Sequence, residues 1–176
     1  DFFLPKCKEQ DKSDAILEAN LKKAVAIPSK SILFNIDQKA DVISKTQIDA
    51  LLSVFVKVFD EMCGYYGKQA YIAQYERELD ERGKYQAFKT AFEQLTGTAW
   101  ERGREQSLLE SRNIAKAYAQ VTGQAENDAL GILDKYRAQH RVSIEDFANQ
   151  VNQWLSKQEK NFRLNFFVDE VGQYIA

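Results

Sequence analysis

The sequence predicts a mainly α-helical fold with a small α/β part, in which two strands flank a long helical block. Two short apolar runs ending in acidic residues, 31–37 and 163–170, have the length and composition of buried strands. Between them, apolar residues recur at the spacing of a helical face, and only two prolines occur among 176 residues. The chain is therefore expected to combine helices with part of a sheet.

Composition limits the classes of protein to which the chain can belong. Hydrophobic residues make up 44% of the sequence, which is ample for a core, and the formal net charge is −2. No cluster of Lys and Arg stands out, which argues against a broad nucleic-acid-binding face because phosphate contacts need concentrated positive charge. No apolar run reaches the roughly 18 residues that a membrane span needs, so no membrane association is expected.

The cysteines and the single histidine argue against a structural zinc site. Cys7 and Cys63 lie far apart and form no CxxC pair, and His140 is the only histidine. Two reduced thiols in a cytoplasmic protein are the prediction, with one long-range disulfide as the alternative. The chain starts at Asp1 without an initiator Met and reads as a piece of a longer protein.

Seven helices are predicted from apolar spacing and from the residues that begin and end helices. Glycines at 64, 83, 97 and 123 are expected to end four of them. Capping boxes are predicted at Thr98 to Glu101 and at Ser143 to Asp146, and the last helix is expected to bury Ile144. The predicted helices span 14–26, 46–64, 71–83, 85–97, 98–121, 129–136 and 143–155.

The two predicted strands are too few for an independent sheet. If they are parallel neighbours, the whole stretch of about 125 residues between them is one crossover, whereas an ordinary crossover needs about a dozen residues. The predicted organisation is therefore part of an α/β core at 1–44, a helical insertion at 45–160 and a returning core strand at 161–176.

The second strand carries the one arrangement in the sequence that suggests chemistry. Apolar residues from Leu164 to Val168 are followed by Asp169 and Glu170, the pattern of a Walker B element in a P-loop NTPase. At the carboxyl edge of a parallel sheet, Asp169 would hold Mg²⁺ through a coordinated water, and Glu170 would polarise the attacking water as the catalytic base. A strand that ends in Asp-Glu by coincidence is the alternative.

The phosphate-binding half of such a site is not found. The segment from Gly64 to Gln69 has Met62 where the P-loop spacing needs Gly, and Gln69 where it needs Ser or Thr. It also follows a predicted helix, so we interpret it as a helix stop followed by a turn. Without a Walker A loop, no cofactor-binding residue is assigned, and this chain alone is not expected to bind ATP tightly.

Several other features are expected to be structural. His140 at a helix end is interpreted as a solvated residue, and the mixed-charge run 76–82 as a solvated helix face. Arg102, Arg104 and Arg112 include candidates for an arginine finger, but their spacing selects none. A series of aromatic residues is expected to pack in the core instead of stacking on bases: Tyr65, Tyr66, Tyr71, Tyr75, Tyr85, Phe88 and Phe92.

Three segments resemble the BrxC/PglY family of P-loop ATPases from bacterial BREX phage-defence systems. They are 31–41 (SILFNIDQKAD), 59–67 (FDEMCGYYG) and 161–176 (NFRLNFFVDEVGQYIA). The resemblance runs through the entire chain and implies an AAA+-like ATPase core that uses ATP and Mg²⁺. In that frame the Walker A loop lies upstream of Asp1, and Asp169 and Glu170 match the Walker B acids.

The same resemblance implies a cytoplasmic ATPase that works with other defence-system subunits and reaches DNA only indirectly or through other domains. A homo-oligomer is left open. The piece itself, which starts after the phosphate loop and stops before any sensor or lid element, is expected to be inactive. The alternative is a non-catalytic helical module for protein-protein interaction. A direct nucleic-acid binder is a third reading, which the acidic charge balance disfavours.

Overall fold

The structure, a computed structural model, describes residues 15–36 and 47–170. That part of the chain is mainly helical, and it contains a small two-stranded parallel sheet. In chain order the elements are α1 (Ala15–Ala26), β1 (Ser29–Asn35), α2 (Gln47–Cys63), α3 (Ala70–Glu81), α4 (Tyr85–Thr96), α5 (Trp100–Gly103), a 3-10 turn (Arg104–Gln106), α6 (Ser111–Thr122), α7 (Glu126–Ala129), α8 (Ile132–Gln139), α9 (Ile144–Ser156) and β2 (Arg163–Asp169).

The strands β1 and β2 pair in parallel, although residues 36–162 separate them. Their register aligns Ser29 with Arg163 at one end and Asn35 with Asp169 at the other. The first strand begins two residues earlier than predicted, because Arg163 N–H already donates to the carbonyl of Pro28 at 3.0 Å. It ends at Asn35, and the predicted acidic end at Asp37 lies outside the described residues.

One face of this sheet packs on α2. Phe34 and Ile36 are buried with Val54 of α2, and the ring of Phe55 lies 5.3 Å from both Phe34 and Phe166. Because side chains alternate along a strand, the other face carries the next residues of each strand. Leu33 and Phe167 are register partners there, and they are 80% and 55% exposed.

The helical block has its own core, built around one tryptophan. The ring of Trp100 is fully buried and lies 4.9 Å from that of Phe88 and 5.1 Å from that of Phe92, in edge-to-face geometry. Tyr75 packs against Phe88 at 5.4 Å. These contacts suit the quadrupoles of aromatic rings. The prediction of core packing is therefore confirmed for Tyr75, Phe88 and Phe92, with Tyr66 in the same core and Tyr71 and Tyr85 partly buried against it.

Glycines end the helices where the sequence predicted. Gly97 and Gly123 follow α4 and α6 with φ of 69° and 78°, and each donates its N–H to a carbonyl of the preceding turn. Gly64 follows α2 with φ of 91°. The left-handed conformation favours glycine because it has no Cβ.

The predicted long helix from Thr98 to Val121 is wrong. The helix begins after Ala99 without a side-chain cap, ends at Gly103, and the next regular helix starts at Ser111. Thr98 N–H donates to Thr96 Oγ1 at 3.1 Å instead of taking part in the predicted capping box. The chain continues from Gly103 into the 3-10 turn Arg104–Gln106, and Gly103 packs directly on the ring of Phe92.

Three predictions near the C-terminal end have different outcomes. The capping box of Ser143 is confirmed, since its Oγ accepts from Asp146 N–H and the Asp146 carboxylate accepts from Ser143 N–H, both at 3.1 Å. The predicted burial of Ile144 is wrong, because it is 59% exposed in the first turn of α9. The helix predicted over 129–136 is also divided, at Gly131, where φ is 67°.

The predicted solvated face at 76–82 is wrong at its first residue. Glu76 is fully buried, and its carboxylate accepts hydrogen bonds from Tyr66 N–H at 2.6 Å, from Trp100 Nε1 at 2.6 Å and from Arg104 Nη1 at 2.9 Å. Arg77 is also largely buried and forms an ion pair with Asp60. Charges from other helices therefore compensate the burial of this part of α3.

Candidate functional site at the ends of the paired strands

The carboxyl ends of β1 and β2 meet at one edge of the sheet. Because the strands are parallel and in register, Asn35 lies opposite Asp169, and Glu170 follows directly. Asp169 and Glu170 are both exposed. The two acidic residues that the sequence singled out therefore lie at the sheet edge where α/β proteins place ligands.

The local geometry holds these two residues in a tight arrangement. Asp169 Oδ1 accepts a hydrogen bond from Glu170 N–H at 2.9 Å, and Glu170 has a φ of 61°. A left-handed conformation is uncommon for a residue with a side chain, and it ends β2 sharply. By strand alternation Asp169 belongs to the sheet face that carries Phe167, away from α2.

A magnesium ion at this edge would have carboxylate ligands of the right kind. Oxygen donors suit Mg²⁺, which keeps several waters and commonly takes one or two protein carboxylates together with substrate phosphates. In the described ranges 15–36 and 47–170, no three or more His, Cys, Asp or Glu side chains form a group able to hold a metal.

The segment from Gly64 to Gln69 is a turn between two helices, as interpreted from the sequence. It follows α2 and precedes α3, and Lys68 Nζ pairs with Glu105 at 3.0 Å. Gly67 is needed for packing, because a Cβ there would lie 2.6 Å from the Lys57 carbonyl oxygen. Lys68 therefore links the turn before α3 to the 3-10 turn through an exposed ion pair.

The three candidate arginines have different environments. Arg104 is engaged by the buried carboxylate of Glu76, and its side chain is only 15% exposed. Arg102 and Arg112 are exposed. Of the three arginines named from the sequence, Arg104 is therefore the one engaged within the fold.

His140 is not a solvated residue, and that prediction is wrong. It is half-buried at the end of α8, and its Nδ1 lies 2.9 Å from Gln74 Oε1 on α3. Because an amide oxygen accepts, Nδ1 is the donor. Burial lowers the pKa of His140, and the nearby Arg77 and Arg141 lower it further.

The structure also contains a polar cleft that sequence reasoning missed. It has a volume of about 360 Å³ and lies between α3 and α9, with Asp60 of α2 and His140 on its walls. Arg77 and Gln150 also line it. The sequence signal that could have predicted the cleft is Asp60. This acidic residue lies among the apolar positions of α2 and therefore needs a buried partner.

The chain was compared with protein-family models and with solved structures. No family model matches the chain, and no solved structure matches it significantly. Among the helices in the described part of the chain, none has both the length and the apolar character required to cross a membrane.

Proposed function

We propose that this chain is the magnesium-and-water half of an ATP-hydrolysing P-loop protein, a component of a bacterial BREX anti-phage defence system. In this proposal β2 is the Walker B strand, Asp169 holds Mg²⁺ through water and Glu170 is the catalytic base. The binding site for ATP and Mg²⁺ is completed by a Walker A loop elsewhere in the parent protein. Other defence subunits are the partners, and contact with DNA is indirect.

The observation that carries the proposal is the parallel pairing of β1 with β2. Parallel strands need a crossover, and parallel sheets occur almost entirely in α/β proteins. Here the crossover is a helical block with its own aromatic core, and the second strand delivers Asp169 and Glu170 to the carboxyl edge. A two-stranded parallel sheet suits one part of a wider sheet. The exposed Leu33 and Phe167 on one face suit a further covering layer, because parallel sheets are normally covered on both faces.

The test is ATP turnover by the complete gene product that contains this sequence. Glu170→Gln keeps the shape of the side chain and removes the base, so we expect turnover to fall by about 10² to 10⁴ while nucleotide binding is retained. Asp169→Asn is expected to weaken Mg²⁺ binding, so that turnover requires a higher Mg²⁺ concentration. The control is Glu159→Gln, which replaces an exposed residue shortly before β2 and is expected to leave turnover unchanged.

Unchanged turnover in Glu170→Gln would remove Glu170 from the chemical step. Absence of turnover in the unmodified complete protein would count against the ATPase assignment as a whole. In both cases the proposal for the strand ends would be abandoned.

A second candidate function is a helical module that docks partner subunits. Two adjacent leucines, Leu108 and Leu109, are 69% and 83% exposed in the turn before α6, which favours this reading. The replacement of both by Ser is expected to weaken assembly with the other defence subunits, measured by co-purification, while ATP turnover persists. Co-purification at the unmodified level would contradict this function for the leucines.

A further inference from the structure

The amino-terminal ends of the two strands bring separate segments of the chain together. Arg163 N–H donates to the Pro28 carbonyl at 3.0 Å, where β1 and β2 begin. The helix α1 ends at Ala26, directly before this point. Trp154, in the last turn of α9, packs on Phe162 at 5.6 Å. The carboxyl ends of α1 and α9 therefore both lie beside the start of the sheet.

This edge of the sheet concentrates positive charge. The ranges 18–30 and 157–163 contain six basic and two acidic residues, whereas the whole chain has a formal net charge of −2. The remainder of the chain is therefore acidic, and the fold separates the two signs of charge. All six basic residues at this edge are exposed: Lys22, Lys23, Lys30, Lys157, Lys160 and Arg163.

Most of these cations have no counter-ion within the fold. Lys22 pairs with Glu18 at 2.9 Å. In residues 15–36 and 47–170, no carboxylate forms an ion pair with any of the other five side chains. In the helical block, by contrast, six basic side chains lie within 4.0 Å of a carboxylate. The positive charge at the sheet edge is therefore available to an external anion.

The two helix ends at this edge offset only part of the charge. Lys23 lies in the last turn of α1, and Lys157 is the C-cap residue of α9. The carboxyl end of a helix carries about half a negative charge. Two such ends offset about one of the four excess positive charges, so the edge stays strongly basic.

The loop before β2 presents its polar side chains outward. Phe162 N–H donates to the Glu159 carbonyl at 3.0 Å, which closes a tight turn. The Phe162 ring is held by Trp154, so the one apolar side chain in the range 157–163 faces the protein. Lys160 and Asn161 are exposed at the tip of this turn. The loop therefore offers charged and amide groups, and no apolar group for insertion into a lipid surface.

The size of the basic edge selects the kind of anion. Duplex DNA carries a negative charge about every 1.7 Å along its axis, and it extends far beyond this edge. An anionic bilayer is also an extended surface. Either would bring negative charge against the acidic remainder of the chain, which is unfavourable. A short acidic segment of a protein can confine its carboxylates to the basic edge.

We propose that the amino-terminal edge of the sheet docks a short acidic segment of a partner protein, whose Asp and Glu side chains pair with Lys160, Arg163 and the neighbouring lysines. The planar guanidinium of Arg163 can bind a carboxylate through two N–H groups. The edge lies at the other end of the seven-residue strand β2 from Asp169, about 20 Å away. The surface is therefore independent of the function proposed for Asp169 and Glu170.

The experiment is a titration of a fluorescein-labelled peptide of five Asp-Glu repeats with the 176-residue chain, followed by fluorescence anisotropy. We expect binding at about 50 mM salt that weakens as the salt concentration rises to about 0.5 M, because salt screens exposed charges. A peptide of five Asn-Gln repeats has nearly the same shape without the charge, and it is expected not to bind.

A triple variant locates the contact. Lys157→Gln, Lys160→Gln and Arg163→Gln together are expected to weaken peptide binding at least tenfold, because each exposed charge pair contributes a factor of up to about five. Lys160→Gln alone is expected to weaken binding about twofold to fivefold, and it decides the question if the triple variant does not fold. The matched control removes three exposed cations from the helical block and changes the net charge equally: Lys84→Gln, Arg112→Gln and Lys116→Gln.

Three outcomes would overturn the proposal. The first is the absence of an anisotropy change at about 1 mM protein, since weaker binding is not specific. The second is equal weakening by the matched control, which would assign the binding to net charge and not to this edge. The third is tighter binding of a duplex of about 20 base pairs, or of phosphatidylserine vesicles, than of the peptide, because the edge would then serve another class of polyanion.

Discussion

Glu76 accepts a 2.6 Å hydrogen bond from the indole N–H of Trp100, at the centre of the helical core. Both residues are fully buried. The same carboxylate accepts from Arg104 at 2.9 Å, so a charged residue of α3 fixes the position of α5 and of the turn that follows. The helical block is organised by this polar contact as well as by its aromatic rings.

The first prediction concerns Glu76→Gln. This change keeps the shape of the side chain but leaves Arg104, whose side chain is 15% exposed, without its counter-ion. We expect the free energy of unfolding to fall by about 3 to 5 kcal/mol, as found when one partner of a buried ion pair is removed. Urea unfolding followed by tryptophan fluorescence measures it.

The control for this change is Glu93→Gln. Glu93 is exposed on α4, and exposed substitutions usually change stability by no more than about 0.5 kcal/mol. Equal stability of the two variants would show that the Glu76 carboxylate is not an essential part of the core.

The second prediction concerns Gly103→Ala. A Cβ at this position would lie 2.3 Å from Phe92 Cε1, and Phe92 is fully buried against Trp100. We expect a loss of about 1 to 3 kcal/mol from overpacking, despite the higher helix propensity of Ala. Thermal unfolding and chemical denaturation both measure this change in the free energy of unfolding.

A double-mutant cycle separates overpacking at Gly103 from other causes. Phe92→Leu makes room beside the new methyl group, so the double variant is expected to be more stable than the sum of the two single changes predicts. If the stability changes of the two single variants simply add in the double variant, contact between the new methyl group and the Phe92 ring is not the cause of the destabilisation.

The third prediction concerns the pH dependence of stability at His140. Burial lowers the pKa of His140 in the folded state, so below about pH 6.5, the usual pKa of a histidine, the unfolded state binds more protons. Stability is therefore complete above that pH and falls as the pH decreases toward the folded-state pKa. The slope from this residue is at most about 1.4 kcal/mol per pH unit.

Comparison with His140→Gln isolates this contribution, because the remaining carboxylates titrate in both proteins. Unfolding free energies between pH 5 and 8 are expected to differ in slope below pH 6.5 and to run parallel above pH 7. A steeper acid loss in the variant would reverse the sign and contradict the prediction.

The fourth prediction concerns the reactivity of Cys63. Burial, with the nearby Asp60 carboxylate, raises the pKa of this thiol to about 11. Because the thiolate is the nucleophile, the alkylation rate with iodoacetamide in a Cys7→Ser background should rise about tenfold per pH unit from pH 7.5 to 10. A plateau near pH 9 would indicate an ordinary, solvated thiol.

The sequence predicted those features that depend on local residue chemistry. Gly97 and Gly123 end helices because their own backbone adopts a left-handed conformation, and Ser143 caps α9 through a residue three positions away. The apolar run before Asp169 and Glu170 predicted that both residues lie at the end of a strand. The parallel pairing followed from the sequence only as a condition, namely that β2 returns beside β1.

Features that depend on distant partners were missed. Glu76 looks solvated in its own segment, but its partners Trp100 and Arg104 lie 24 and 28 residues away. The close approach of Gly103 to the ring of Phe92 likewise depends on a residue of another helix. For the candidate site, the order of residues predicted that Asp169 and Glu170 lie at the end of a strand.

The distance along the chain between the two strands has a consequence for synthesis. Ser31 and its partner Asn165 are 134 residues apart. At a synthesis rate of about 5 to 20 residues per second, β1 waits roughly 7 to 27 s for β2 to be made. The helical block, held by nearby contacts, has time to fold first, while β1 keeps an open edge that favours pairing with other chains. Nascent chains are therefore expected to need protection by a chaperone during that interval.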